Sequence, residues 1–187
     1  RMDKLEKVLR ENSDVWKNKS AFMNYLRGGL RKSLWSRHPI KIKLIKDKRI
    51  RIDNPNPKGR VAKVWGGECE ICGNEFAQKD LQVDHIRDDF NKLNEIEDIQ
   101  SFVESLSIVT SDELRLVCKP CHGIVSHSQR KGISFEKAAV EKEIIQLKKD
   151  DLEVVKRLKL EGVEEIPKTK KDRAELLTKI LMKGIEV

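Results

Sequence analysis

The stretch LRLVCKPCH, residues 114 to 122, joins a short apolar run to a Cys-x-x-Cys pair and a histidine. A second pair, CEIC, occupies residues 69 to 72. All four cysteines of the chain belong to these pairs: Cys69, Cys72, Cys118 and Cys121. Two such pairs are typical of a tetrahedral zinc site, because each tight turn supplies two thiolates. We therefore predict one structural Zn²⁺ ion bound by the four cysteines.

Between the cysteine pairs, LQVDHI at residues 81–86 alternates apolar with polar side chains and carries the pair Asp84-His85. This pattern predicts a strand, and LRLV at residues 114–117 predicts a second strand that runs into Cys118. CHGIVSHSQRKG predicts a helix that ends near Gly132. The predicted order is strand, strand, cysteine pair and helix, with zinc holding the two strand ends together.

Positive charge is concentrated at the start of the chain. The net charge of the 187 residues is +8, but residues 1–65 hold 19 lysines and arginines against 6 acidic residues. Such asymmetry favours an anionic partner, most simply nucleic acid, over a merely solubilising face. No run of 18 apolar residues and no signal peptide is present, so we expect a cytoplasmic protein without a membrane partner.

The basic region is predicted to form a helix capped by Ser20 and ended by Pro39, and then a β-hairpin over IKIKLIKDKRIRI, residues 40–52. Either element could present a solvated cationic face or contact DNA phosphates, and the lysines of edge strands also discourage aggregation. The cations assigned to DNA binding are Arg27, Arg31 and Lys32 on the helix and Lys41, Lys43, Lys46, Arg49 and Arg51 on the hairpin. Three further helices are predicted at about 134–149, 151–160 and 170–183.

Taken in order, CEIC, VDHI and LRLVCKPCH resemble the motifs of HNH endonucleases, over about residues 65–135. The resemblance implies an α+β fold with a zinc-stabilised ββα-metal core. The predicted basic helix and hairpin precede this core, and a helical extension follows it. The corresponding regions are a DNA-binding region at 1–65, the nuclease core at 66–133 and the extension at 134–187.

In residue terms, the resemblance implies that His85 is the general base that activates water for hydrolysis of a DNA phosphodiester bond. Asp84 and His122 would hold a catalytic Mg²⁺ or Mn²⁺ ion. Glu113 stands where the family usually has an asparagine that orients the loop of the general base, and Asn91 or Asn94 could take over that role. Asp88 and Asp89 could support the site. His127 is predicted at the surface or close to DNA, and His38 has no assigned role.

Double-stranded DNA is the expected partner, and a second copy of the chain or other phage proteins are further candidates. The resemblance points to a phage or mobile-element enzyme that nicks, homes or restricts. One alternative is a zinc-stabilised DNA-binding module without catalysis. Another is a redox protein that uses its Cys-x-x-Cys pairs.

Overall fold

The structure is a computed structural model that describes residues 4–57, 61–86, 93–183 and 185. These residues form helices and two small antiparallel sheets, as expected for the α+β class. The chain divides into two compact units, Arg1–Cys118 and Lys119–Val187. This division differs from the three regions predicted from the sequence.

The first unit begins with helical segments. They are α1 Lys4–Glu11, α2 Lys19–Leu30, the π-helical segment Arg31–Trp35 and α3 Pro39–Lys48. The side chain of Asn18, rather than that of Ser20, caps α2 by accepting a hydrogen bond of 2.9 Å from the Ala21 amide. Pro39 was expected to end a helix, but it begins α3, where a residue without an N–H group is well tolerated.

Five strands form the two sheets. The first sheet contains β1 Ile50–Asp53, β2 Lys63–Glu68 and β3 Glu75–Ala77, in the order β1-β2-β3. The second contains β4 Leu81–His85 and β5 Leu114–Cys118, paired so that Leu81 faces Cys118 and His85 faces Leu114. The strands predicted at 81–86 and 114–117 are therefore confirmed. Because β2 pairs with both neighbours, the predicted boundary after Trp65 falls inside a sheet.

The β-hairpin predicted for residues 40–52 is wrong. Residues 40–48 are helical and only Ile50–Asp53 forms a strand, which pairs with β2. Ile40, Ile42 and Leu44 alternate as in a strand, but Ile40, Leu44 and Ile45 also fit one face of a helix. That face packs against Val83, Leu114 and Leu116 of β4 and β5, and burial there decides between the two patterns.

Among the described residues of the first unit, two buried clusters join its elements. One joins Met23 of α2 to Leu93 and to Phe102 and Leu106, the last two on α4 Ile99–Ser107. The other is the cluster of Leu44, Val83, Leu114 and Leu116. Trp35 packs against both clusters. This indole therefore links the N-terminal helices to the strand pair that carries Asp84 and His85.

The described part of the second unit contains four helices: α5 Lys119–Lys131, α6 Phe135–Leu147, α7 Asp151–Leu160 and α8 Lys170–Lys183. Gly132, with a φ of +65°, follows α5, and the hydroxyl oxygen of Ser134 caps α6 by accepting from the Lys137 amide at 3.2 Å. Val154, Leu158 and Leu177 form the buried core of this unit. The helices predicted for this part of the chain are confirmed. No helix within the described ranges is long and apolar enough to cross a membrane.

Candidate metal centre and active site

The two cysteine pairs come together. Cys69 follows β2, Cys118 ends β5 and Cys121 lies in the first turn of α5. The four sulfur atoms lie within 4.8 Å of one another, and only Cys72 among them is exposed. A tetrahedral zinc site with Zn–S bonds of about 2.3 Å needs sulfur atoms about 3.8 Å apart. The cluster therefore fits a metal ion such as zinc.

The turn that carries the first pair favours thiolate. The Cys69 amide donates to the Asn74 carbonyl at 2.9 Å, and the Gly73 amide donates to the Cys69 carbonyl at 2.8 Å. Burial raises the pKa of the Cys69 thiol, but hydrogen bonds from the backbones of Cys118, Cys72 and Ile71 outweigh it and lower that pKa to about 7. Because thiolate is the form that binds metal, the fold prepares this ligand.

His85 lies half-buried at the end of β4. Its ring stacks on the indole of Trp35, with ring centroids 4.4 Å apart and planes tilted by 31°. Burial lowers the pKa of His85 to about 4; Glu113 opposes this shift, and the positive charges of Arg31 and Lys41 add to it. The imidazole is therefore neutral near pH 7, the form that accepts a proton, and the same burial makes it a weaker base than an ordinary histidine.

Glu113 contacts the neighbourhood of His85 through its backbone. Its carbonyl oxygen accepts a hydrogen bond of 2.8 Å from the amide of Ile86, the residue after His85. Its carboxylate accepts from the Thr110 amide at 2.7 Å and from the Thr110 hydroxyl at 2.8 Å, and its negative charge opposes the lowering of the pKa of His85. A carbonyl oxygen is present in any residue, so the backbone contact does not depend on the side chain at position 113.

The carboxylate of Asp84 forms an ion pair that the sequence pattern does not reveal. Its Oδ2 atom accepts from Nε of Arg115 at 3.1 Å and from Nη2 at 2.9 Å. Asp84 and Arg115 face each other across β4 and β5, and both side chains are largely buried. The LRLV pattern places Arg115 on a strand as its one polar residue. Which carboxylate it meets depends on the register between β4 and β5, which the sequence does not show. A cation at Asp84 would compete with this guanidinium.

The remaining histidines differ in their surroundings. His122 lies next to Cys121 in the first turn of α5 and is partly exposed. His127 is buried, donating from Nε2 to Glu141 at 2.6 Å and accepting at Nδ1 from Arg130 at 2.9 Å, so its predicted surface position is wrong. A structural contact also engages His38, whose Nε2 lies 3.1 Å from the Ser107 carbonyl.

Candidate residues between β4 and α4 are only partly described. Asn94 is exposed, and its amide donates to Asp98 at 2.8 Å. Asp88, Asp89 and Asn91 lie outside the described residues. Of this set, the structure therefore shows only Asn94.

Two of the cations assigned to DNA binding have structural partners. Arg27 is partly buried and donates from Nη1 to Asn24 at 2.7 Å and from Nη2 to the Leu93 carbonyl at 2.7 Å. Lys43 pairs with Asp47 along α3 at 2.5 Å. These side chains stabilise local structure, so their charges are partly satisfied within the chain.

The other assigned cations are more available. Lys32 and Lys46 are exposed. Arg31 lies over the ring of Phe102 at 5.8 Å, and the Lys41 ammonium lies 5.1 Å from the centroid of Trp35. Burial lowers the pKa of both Arg31 and Lys41. Because Trp35 also stacks on His85, Lys41 brings positive charge to the surroundings of the candidate base.

Comparison with known proteins identifies no relative of this chain. Any function assigned to the chain rests on its own side chains and on the motifs quoted above. No protein-family model, no curated protein sequence and no solved structure matches this chain.

Proposed function

We propose that the protein is a metal-dependent HNH-type endonuclease that hydrolyses phosphodiester bonds of double-stranded DNA. The observation that carries the proposal is the order of chemical groups along three elements of the motif region, of which the second and third are consecutive. β4 ends in Asp84 and His85, β5 runs into Cys118, and α5 begins with Cys121 and His122. The same groups in the same order form the motif of the family that the sequence resembles.

In this proposal His85 takes a proton from the attacking water. A neutral imidazole is required for that step, and burial of His85 favours the neutral form. The positive charges of Arg31 and Lys41 near His85 would attract the phosphate that is to be cleaved. Glu113 holds the backbone beside His85 through its carbonyl.

Two kinds of metal belong to the proposal. The four cysteines would hold structural Zn²⁺, for which the close cluster of sulfur atoms is suited. Asp84 and His122 would hold a catalytic Mg²⁺ or Mn²⁺ ion, which supplies positive charge to the phosphate and the leaving oxygen when it is bound. A carboxylate and an imidazole are suitable donors for a divalent ion, but the Arg115 guanidinium already occupies Oδ2 of Asp84.

The test is cleavage of supercoiled plasmid DNA in Mg²⁺ or Mn²⁺ by the wild-type protein and by His85→Ala. Loss of a general base is expected to slow cleavage by about 10²–10⁴-fold. Both proteins must retain equal metal content and the same melting temperature, so that the comparison reports chemistry rather than folding. Equal cleavage by the two proteins would exclude His85 as the base.

The alternatives predict other outcomes of the same experiment. A zinc-stabilised DNA-binding module without catalysis would bind DNA but leave the plasmid intact in every divalent ion. A redox protein would be purified without tightly bound metal and would cycle between thiols and disulfide. Metal that is released only by a strong chelator or a thiol reagent excludes the redox alternative.

A further inference from the structure

The side chains of two arginines lie over the ring of one exposed tryptophan. Trp65 lies in the middle of β2 and keeps 41% of its surface exposed. The guanidinium carbon of Arg49 lies 4.3 Å from the centroid of its ring, and that of Arg51 lies 4.4 Å from it. Arg51 faces Trp65 directly across the β1–β2 ladder, and Arg49 immediately precedes β1. We call these three residues the Trp65 cluster.

Neither arginine of the cluster is neutralised within the part of the chain that the structure describes. Both are exposed, and no described carboxylate lies in salt-bridge range of either guanidinium. Nearby lysines behave differently: Lys48 pairs with Glu70 at 2.6 Å, and Lys63 lies 3.7 Å from Asp53. Two like charges on one ring repel each other, so the arrangement concentrates positive charge that an anionic ligand could neutralise.

The geometry suits phosphate groups better than other anions or bases. A guanidinium that packs on an aromatic ring keeps its N–H donors directed outward in a planar fork, which matches two phosphate oxygens. Arg49 and Arg51 are two residues apart in extended backbone, so their side chains leave the same side of the chain about 6.6 Å apart. Both guanidiniums lie over the same ring, and the reach of two separate side chains allows each arginine to contact its own phosphate.

We propose that Trp65 is a positioning residue that holds Arg49 and Arg51 as a clamp on the phosphate backbone of duplex DNA. Trp65 itself stacks on the arginines and not on a base. This inference rests on the proposed function in taking DNA as the ligand, but it does not require that the protein cleaves it. The Trp65 cluster contributes to the affinity of DNA binding.

The experiment measures binding of a short fluorescent DNA duplex by the full chain with its metal retained and no divalent ion added. Trp65→Ala leaves the charge unchanged and is expected to weaken binding by about three- to tenfold, because two cation–aromatic contacts are lost. Trp65→Phe should recover part of that loss. The matched control is Tyr25→Ala, because Tyr25 is also exposed, at 63%, and no cation lies over its ring among the described residues.

The salt dependence of binding supplies a second measurement. Replacement of both Arg49 and Arg51 by alanine should reduce the slope of log K against log salt by about 1.8, the loss of two phosphate contacts. Arg49→Lys with Arg51→Lys keeps the charge but removes the planar forks, and it should weaken binding as Trp65→Ala does. This conservative pair keeps the test decisive if Trp65→Ala fails to fold.

Several outcomes would overturn the clamp. Unchanged duplex affinity of Trp65→Ala with a lowered melting temperature would mean that the arginines merely cover the ring. A loss confined to single-stranded DNA would mean that Trp65 stacks on bases. If the wild type binds no duplex, both the clamp and the proposed function fail. If it binds duplex through the cluster but cuts nothing, the clamp stands and the nuclease proposal fails.

Discussion

Substitution of the exposed cysteine of the sulfur cluster distinguishes a metal-binding site from four neighbouring thiols that bind no metal. Cys72 is exposed, whereas Cys69, Cys118 and Cys121 are buried. If no metal binds, Cys72→Ser changes an exposed side chain and should alter the free energy of unfolding by no more than about 0.5 kcal/mol. If a metal binds, the same substitution removes one of its four ligands, because a serine hydroxyl is a poor substitute for a thiolate.

The size of the effect follows from the loop that the metal closes. A bond between the 69–72 turn and the 118–121 turn closes a loop of about 50 residues, and a cross-link of that length stabilises a fold by about 4 kcal/mol in the chain-entropy account. For a chain of this size, such a loss lowers the melting temperature by about 8–16 °C. Thermal unfolding followed by circular dichroism, with the protein kept reduced, measures the shift.

Metal analysis completes this experiment. We expect one equivalent of zinc in the wild-type protein and a large loss of zinc in Cys72→Ser. A strong chelator should destabilise the wild type but leave the variant nearly unchanged, because the variant has already lost the cross-link. Wild-type protein without metal, together with a variant that melts at the wild-type temperature, would refute the reasoning.

Two further predictions concern packing and pH. Gly66→Ala would place a Cβ atom 2.4 Å from a backbone oxygen of β3 and should lower the free energy of unfolding, measured in urea, by about 1–3 kcal/mol. The control is Gly28→Ala in α2, whose added Cβ has no atom within 4 Å and which should stabilise the protein by up to about 1 kcal/mol. Equal effects of the two substitutions would contradict this prediction. Hydrogen bonds from Lys131 and His127 lower the pKa of Glu141. The stabilisation that the Glu141 carboxylate contributes is therefore present above the ordinary glutamate pKa of about 4.3 and is lost as pH falls through the lowered pKa. In Glu141→Gln, the free energy of unfolding should therefore fall less steeply as the pH is lowered.

The sequence predicted best those elements whose pattern has one interpretation. Leu81–His85 alternates apolar with polar residues, Leu114–Cys118 runs directly into a Cys-x-x-Cys pair, and Ser134 caps a periodic helix. Residues 40–48 satisfied both a strand and a helix pattern, and only burial against β4 and β5 decides for the helix. β2 contains Gly66 and Gly67, which weaken any strand signal, so the three-stranded sheet was not foreseen.

At the candidate site, the sequence identified groups but not their surroundings. The spacing of the cysteines predicted a cluster, and the structure brings the four sulfur atoms together. Trp35 stacks on His85 from 50 residues away, and Arg115 meets Asp84 only through the strand register. Such contacts arise from the fold as a whole, and local patterns carry no signal for them.

The pairing of β2 on both sides limits how this protein can be divided. A fragment that begins at residue 66 keeps the cysteines and the Asp84-His85 pair, but it loses β1, half of β2 and the helix whose Leu44 buries Val83, Leu114 and Leu116. The motif-bearing strands are thus not an autonomous module. The basic segments that precede these strands therefore cannot be replaced as a unit. A change in the ligand that those segments bind must come from substitutions on their exposed faces.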